Sequence, residues 1–493
     1  MTILLLLLIP LAASGMTALA KARRTMEIIH LLSALAALLT AVLLVAKVLG
    51  RGESSAWSGY LFADHLSALV VLLTAFVYAI CAPYSIGYLR TDELNQVFES
   101  EGLVKVRKYY TLTPLLAFSM YLVALASNMG VMWVALEGTT LASIFLVTFY
   151  GRPTSLEAAW KYAMIGGVGL SMALFGTILT YYEVHQSLGT ESLTALSWQV
   201  ITDHAPKFDH TVMRLAFILV LLGYGTKAGL APMHTWKPDA YSEAPAPVAA
   251  LLAAAVLNSA LYALARFYVV TVRCLGPSFP SQLLILFGLL SVGIAVPFIL
   301  VQRSYRRLLA YSSIDHGGIM VLALGFGGAF GPLGMLLHMT FHSVTKPLLF
   351  FCAGNAQQKT GNDSLKKSAS GLLHVLPVSG PIFLLGALAV TGTPPFSLFQ
   401  SEFLIMRAGF ATEHVGLTML FVTMLVTIFG GFFYHLSQLV LGPRSGSPDT
   451  ETSKWKTYPV IGLATLILVM GFWLPAPVYA LVQGAARILA VHP

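Results

Sequence analysis

Lys227 stands in an apolar run, within the stretch GYGTKAGLAPMHTWKPDAYSEAPAPV of residues 223–248, just ahead of Gly229 and Pro232. An ionisable residue near the centre of a bilayer costs about 2.5–3.5 kcal/mol on insertion scales, so it needs a partner, a hydrated cavity or a task. Glu137, in VMWVALEGTTLAS, is a carboxylate in the same situation. Burial disfavours the charged form of both side chains and pairing restores it. A buried lysine whose partner moves away can therefore release a proton, which makes Glu137 and Lys227 a candidate switch. The alternative is a static pair that fixes helix packing, although buried ion pairs are weak sources of stability.

His338, His342 and Lys346 recur every four residues in HMTFHSVTK, so all three project from one helix face over two turns. Such a row can line a hydrated proton path or hydrogen-bond neighbouring helices. A zinc site would need further ligands that the sequence does not supply. Glu402, in PPFSLFQSEF, closes the series as an exit group. Lys237, ten residues beyond Lys227, reads as facing cytoplasmic water. Asp64 and His65 sit near a helix end, Asp315 and His316 read as interfacial, and Arg266 can snorkel to a surface. Cys81, Cys274 and Cys352 lie singly in or beside apolar segments, which suits packing and offers no CxxC spacing for zinc, an iron–sulfur cluster or a disulfide framework. There is no phosphate loop or Ser-His-Asp order, so no catalytic site and no cofactor is expected in this chain.

The elements that must hold these residues are membrane helices. Of the 493 residues, 57% are hydrophobic and only 10% charged, against about 25% charged in ordinary soluble domains. Apolar runs predict an all-α polytopic membrane protein with helices near 1–20, 27–50, 62–89, 111–127, 129–150, 157–183, 213–231, 247–272, 282–302, 308–328, 332–353, 375–396, 414–441 and 459–488, fourteen in all. The first has no basic residue ahead of it and Lys21, Arg23 and Arg24 behind it, which suits a retained helix rather than a signal peptide. Alternate threading from an outside N-terminus puts Lys21, Arg23, Arg24, Arg90, Lys105, Arg107, Lys108, Arg152, Lys237, Arg303, Arg306, Arg307, Lys359, Lys366, Lys367, Arg444, Lys454 and Lys456 on the cytoplasmic side. Arg51, Lys207, Arg214, Arg273, Arg407 and Arg487 lie opposite. This asymmetry obeys the positive-inside rule, so the net charge of +8 reflects topology and needs no nucleic-acid partner. The acidic and basic loop of residues 91–108, with Asp92, Glu93, Glu99 and Glu101, reads as a solvated connection or a docking surface.

Two helices are predicted to break, the seventh over Lys227–Pro232 and the twelfth over Thr391–Phe396, because proline removes amide donors from the helical ladder. They lie five helices apart, and an odd separation reverses the direction of crossing. Helices four to eight (residues 111–272) and nine to thirteen (residues 273–441) are therefore expected to be inverted five-helix repeats, flanked by an N-terminal unit (1–110) and a C-terminal loop and helix (442–493).

WVALEGTTLAS, KAGLAPMHTWKPDAYSEAPAPVAALLAA, YRRLLAYSSIDHGGIM, HMTFHSVTKPLLFFCAG and GTPPFSLFQSEFLI together resemble, in order, the motifs of the antiporter-like proton-conducting subunits of respiratory complex I, Mrp-type antiporters and group 4 membrane hydrogenases. GYGTKAGLAPMHTW, EAPAPV and PPFSLFQSEF look closest to the F component of hydrogenase-4. The resemblance implies fourteen helices with two inverted repeats. It implies that Glu137 and Lys227 are the family's coupling pair, that His338, His342 and Lys346 belong to its relay, and that Glu402 is the terminal residue. Two positions depart: Lys237 stands where the family commonly has leucine, and Asn258 where many relatives have histidine or lysine. Both are candidate accessory residues, with water bridging the middle of the relay.

The function implied is that of a proton-translocating subunit in the cell membrane, non-catalytic itself, working with other membrane subunits and a peripheral redox arm. Those partners would carry iron–sulfur clusters and, in a hydrogenase, a nickel–iron centre. The rivals are a complex I subunit, a sodium/proton antiporter, the membrane partner of an inorganic-carbon uptake complex, a haem- or quinone-reactive subunit, and an inert scaffold whose charges only pair.

Overall fold

The computed structural model describes residues 1–98, 102–188, 196–365, 371–443 and 451–490. Glu99, Glu101, Lys366, Lys367 and Arg444, used above in reading loops and topology, lie outside the described residues. The helices are α1 (Thr2–Leu19), α2 (Arg23–Arg51), α3 (His65–Leu94), α4 (Gly102–Leu125), α5 (Met129–Val147), α6 (Pro153–Leu188), α7 (Trp198–His204), α8 (His210–Ala228), α9 (Trp236–Glu243) and α10 (Ala246–Leu251). They continue with α11 (Leu257–Leu275), α12 (Ser278–Leu300), α13 (Tyr305–Phe326), α14 (Gly331–Thr360), α15 (Leu372–Val375), α16 (Ser379–Val390), α17 (Ser397–Ala411), α18 (Val415–Leu441), α19 (Lys454–Phe472) and α20 (Ala476–Leu489). The protein is an all-α, multi-pass membrane protein, and eleven helical spans among the described residues are long and apolar enough to cross a bilayer.

Helix starts follow local chemistry. Asp64 accepts from Ser67 N at 2.9 Å at the start of α3, Asn128 from Gly130 N at 2.8 Å at the start of α5, and Ser304 from Arg307 N at the start of α13, each satisfying amides that have no partner within the helix. Between Leu252 and Val256 one π-helical turn joins α10 to α11. The Tyr241 hydroxyl donates to Leu252 O at 3.0 Å within that turn. The sequence pattern did not foresee this turn, nor α7, nor the short antiparallel hairpin of β1 (Ser54–Ala56) and β2 (Leu61–Ala63) with Ser55 opposite Phe62.

The most apolar windows of α13 and of the continuous α10–α11 run are wholly buried, whereas only 28% of that of α18 is. α13 and the α10–α11 run thus lie at the centre, and α18 lies at the periphery. Close approach is made by small residues, as expected where lipid and side chains are equally apolar. A Cβ added at Gly223 of α8 would stand 2.5 Å from Ala173 Cβ of α6, and one at Gly318 of α13 would stand 2.9 Å from Gly288 O of α12.

Four expectations need correction. The final apolar run is two helices, α19 and α20, because Pro475 cannot donate and disfavours a helical Leu474. Arg266 does not snorkel: it is 6% exposed, and its two guanidinium nitrogens grip Asp64 at 2.7 Å each. Arg306, placed in a loop, is buried and donates to Gln357 Oε1 at 2.9 Å and to the carbonyls of Tyr241 and Ala244. Lys237, expected in cytoplasmic water, is 1% exposed.

Candidate functional site

The two predicted interruptions are present and built alike. After α8, Gly229 (φ 74°) donates to Thr226 O and Leu230 to Gly225 O. After α16, Gly392 (φ 65°) donates to Ala389 O and Thr393 to Leu388 O. Both are Schellman endings, in which a left-handed residue, nearly always glycine, lets the chain turn back onto the last carbonyls. The peptide bonds Ala231–Pro232 and Pro394–Pro395 are cis. Each break brings a titratable side chain against its glycine. A Cβ on Gly229 would stand 2.5 Å from Lys237 Cδ, and one on Gly392 would run into the Glu402 carboxylate.

Lys227 occupies the last turn of α8 and is 2% exposed. Its ammonium donates to Thr140 Oγ1 at 2.7 Å and to Tyr162 OH at 2.8 Å, and lies 5.0 Å from the Tyr162 ring centre. Thr140 is one turn beyond Glu137 on α5, so the lysine reaches the helix of its expected partner. Among the described residues, however, Glu137 and Lys227 form no direct ion pair, and Glu137 Oε2 is buried without a hydrogen-bond partner. Neutral hydroxyls hold the ammonium, and Tyr162 is itself fixed by stacking on Trp236, ring centres 4.4 Å apart.

Lys237 projects from α9 into the interior, donating to Ala228 O at 2.8 Å and Ser313 O at 3.1 Å. The opposite side of that helix lines a surface cavity of about 340 Å³ with Asp239, Ser242 and Glu243, where Lys161 meets Asp239 at 3.0 Å and Arg307 pairs with the same carboxylate. Lys346, fully buried on α14, donates to Leu309 O at 3.1 Å and Ser312 Oγ at 2.9 Å. Asn258 is fully buried, its amide donating to Ser343 Oγ at 2.7 Å.

Asp315 and His316, read from sequence as interfacial, are 2% and 1% exposed and join this group. The ring nitrogens His316 Nδ1 and His338 Nε2 share a hydrogen bond of 2.8 Å, and His338 Nδ1 meets Ser401 Oγ at 3.0 Å. The His342 ring lies tilted against that of His316, ring centres 5.1 Å apart. Donor atoms of His316, His338 and Glu402 lie within 4.8 Å of one another, so the structure supplies the clustered ligands that the sequence did not reveal. Two imidazole nitrogens on one tetrahedral zinc would stand roughly 3.3 Å apart, whereas here 2.8 Å separates them. As arranged, the two imidazoles share a hydrogen bond.

The local sequence did not mark Tyr162, named Thr140 only as part of a motif stretch, and left Asp315 and His316 as interfacial. The only available signal was an acidic–basic dipeptide, DH, inside a helix that turns out to be wholly enclosed. Along this line Glu137 Oε2, Asn258 Oδ1, Asp315 Oδ1, His316 Nε2, both nitrogens of His342 and Thr393 Oγ1 are buried without protein partners among the described residues. Each such group costs about 1–3 kcal/mol if left dry, and buried polar sites of this kind are ordinarily completed by ordered water. Gly392→Ala should therefore lower ion translocation by ~100-fold, the lower end for loss of a proton-transferring group. Gly430→Ala, on an exposed face of α18 with nothing within 4 Å of the added carbon, should leave it unchanged. Flux per assembled protein in vesicles decides the comparison.

The described geometry has known counterparts. The family described as "NADH:quinone oxidoreductase/Mrp antiporter, TM" matches residues 126–428. A hydrogenase-4 component F homolog of Methylacidiphilum infernorum is 35% identical over 431 residues, covering 87% of this chain and 89% of its own. The NADH-quinone oxidoreductase subunit N of Desulforudis audaxviator is 30% identical over 409 residues, covering 80% and 78%. A chain of an archaeal membrane-bound sulfane sulfur reductase superposes with a TM-score of 0.86 at 25% identity, covering 99% of this chain and 97% of that one. With more than half its length matched and its broken helices in place, this chain belongs to the antiporter-like membrane-subunit family shared by complex I, hydrogenase-4 and Mrp-type complexes.

Proposed function

We propose that the chain is the proton-translocating subunit of a multisubunit membrane redox complex of the hydrogenase-4 or formate-hydrogenlyase kind. The observation that carries this reading is the series of titratable side chains from the half-buried Glu137 through the buried Lys227, Lys237, Lys346, Asp315, His316 and His338 to Glu402. No lysine of the series is locked in a carboxylate pair among the described residues. Hydroxyls and carbonyls hold the ammonium groups instead, so proton release leaves no stranded counter-ion.

In this reading Glu137, Lys227, His338, His342, Lys346 and Glu402 form the pathway. A charge change arriving from a neighbouring subunit acts on Glu137, Lys227 loses its proton, and the proton leaves by the histidine row to Glu402. The fourteen crossings divide into inverted repeats over 111–272 and 273–441, a division favoured by the matching Schellman breaks. Both termini lie on the outer, periplasmic side of the membrane. Partner subunits supply the iron–sulfur clusters and the nickel–iron centre, since the three cysteines of this chain are scattered. Protons are favoured over sodium because hard cations want oxygen ligands, and the series is rich in nitrogen.

Native purification, identification of co-purifying chains and reconstitution into vesicles tests the reading. Hydrogen- or formate-driven acidification with a nickel–iron partner is expected, and Glu137→Gln should reduce it ~100-fold. Sodium-dependent exchange without any redox partner would overturn it, and a quinone-reducing arm would move the chain to a complex I-type assembly.

A further inference from the structure

We propose that Lys237 carries the proton between the two halves of the pathway, bridging the point at which the relay would otherwise stop at Asn258, and that Asp315 is the carboxylate that steadies the charge beyond it. This rests on the proton-translocation reading. Asn258 has no proton to give at accessible pH, and its amide is committed to Ser343. Lys237 stands where a carrier is needed. One bond reaches Ala228 O, the residue after Lys227, and the other reaches Ser313 O, two residues before Asp315. An ammonium has three donors, and two are used. Lys237 of α9 thus ties the end of α8 to α13.

The charge inventory points the same way. Lys227, Lys237 and Lys346 share the protein interior with Glu137, Asp315 and Glu402, three basic and three acidic side chains with no direct pair among the described residues. Without Lys237 and Asp315 the series would have a gap between α8 and α13. In the transfer, the Lys237 ammonium gives a proton to the Lys346–Asp315 group, whose carboxylate accepts it, and becomes an amine. The Lys227 ammonium then passes its proton through water to that amine, which restores the Lys237 ammonium and leaves Lys227 as the amine.

A plainer role is available: a lysine donating to Ala228 O caps the C-terminus of α8. Lys237→Gln separates the two, because the amide keeps a donor for the carbonyl and carries no titratable proton. In the intact complex in sealed vesicles, Lys237→Gln and Lys237→Leu should each lower proton translocation by ~100-fold with redox turnover retained. Adding Asn258→Lys to the Lys237→Leu chain should restore translocation to within about tenfold of wild type. Wild-type translocation by Lys237→Gln, alongside an inactive Lys227→Ala control, would overturn the proposal and leave the general reading standing. If Lys227→Ala also translocates normally, the general reading falls first. Should both single Lys237 variants fail to assemble, the double variant decides: assembly with translocation supports the carrier role, and assembly without it leaves only the cap.

Discussion

Replacing Lys227 with alanine is expected to reduce proton translocation by ~100-fold or more while leaving the complex assembled. The side chain is buried, yet its bonds go to Thr140 Oγ1 and Tyr162 OH, two hydroxyls that have other partners or can find them. Tyr162 OH also meets Ser143 Oγ at 2.9 Å, so its loss of the ammonium leaves it satisfied. No carboxylate is stranded by the change in a direct pair, so the severe penalty for breaking a buried ion pair does not apply. The effect should therefore appear in translocation and not in the amount of complex. Dye-reported acidification of vesicles, normalised to immunodetected subunit, measures it. Thr140→Val and Tyr162→Phe, each removing one of the two bonds, should fall between wild type and the alanine variant. Unchanged acidification in Lys227→Ala would sink the mechanism.

Asp64→Asn should have the opposite profile, a large loss of stability with little change in translocation per assembled complex. Asp64 caps α3 and grips Arg266 of α11 at 2.7 Å through both oxygens, and Arg266 also donates to Ser67 Oγ at 2.9 Å. The guanidinium carbon lies 5.0 Å from the ring centre of Tyr262 and 5.8 Å from that of Trp198, a cage that also shields it from solvent. Removing one partner of a buried pair costs about 3–5 kcal/mol, because the other charge is left unpaired. Replacing both, as Asp64→Leu with Arg266→Met, should recover most of that loss, since a well-packed apolar pair is often as stable. Thermal unfolding of the detergent-solubilised complex reads the difference. A double variant as unstable as the single would show that the charges themselves hold these helices together.

The apolar runs, the two breaks, and the positions of Glu137, Lys227, His338, His342, Lys346 and Glu402 were all legible in the chain. Lone charges in an apolar context are conspicuous, and proline with glycine marks where a helical ladder must stop. Asp315 and His316 were misread because their distance from a helix end suggested an interface. The enclosure of α13 by α12, α14 and α9 is a long-range fact that no local pattern encodes. Lys237 was misread for the same reason: α9 lies close to a surface cavity, but its lysine leaves from the inward side.

By itself, then, the sequence determined the class of protein, most of its long helical segments and which of their ionisable residues were out of place, because hydropathy and chain-breaking residues act locally. Only the tertiary structure decided what those residues touch. It set hydroxyls and carbonyls around the lysines in place of carboxylates, brought His316 to His338, and stationed Lys237 between α8 and α13. The physical reason is that a side chain's partners in a bundle depend on how helices far apart in the chain approach and rotate about their axes. Small residues such as Gly223 and Gly318 and the left-handed glycines at the two breaks set that approach, and the polar partners become visible only when it is known.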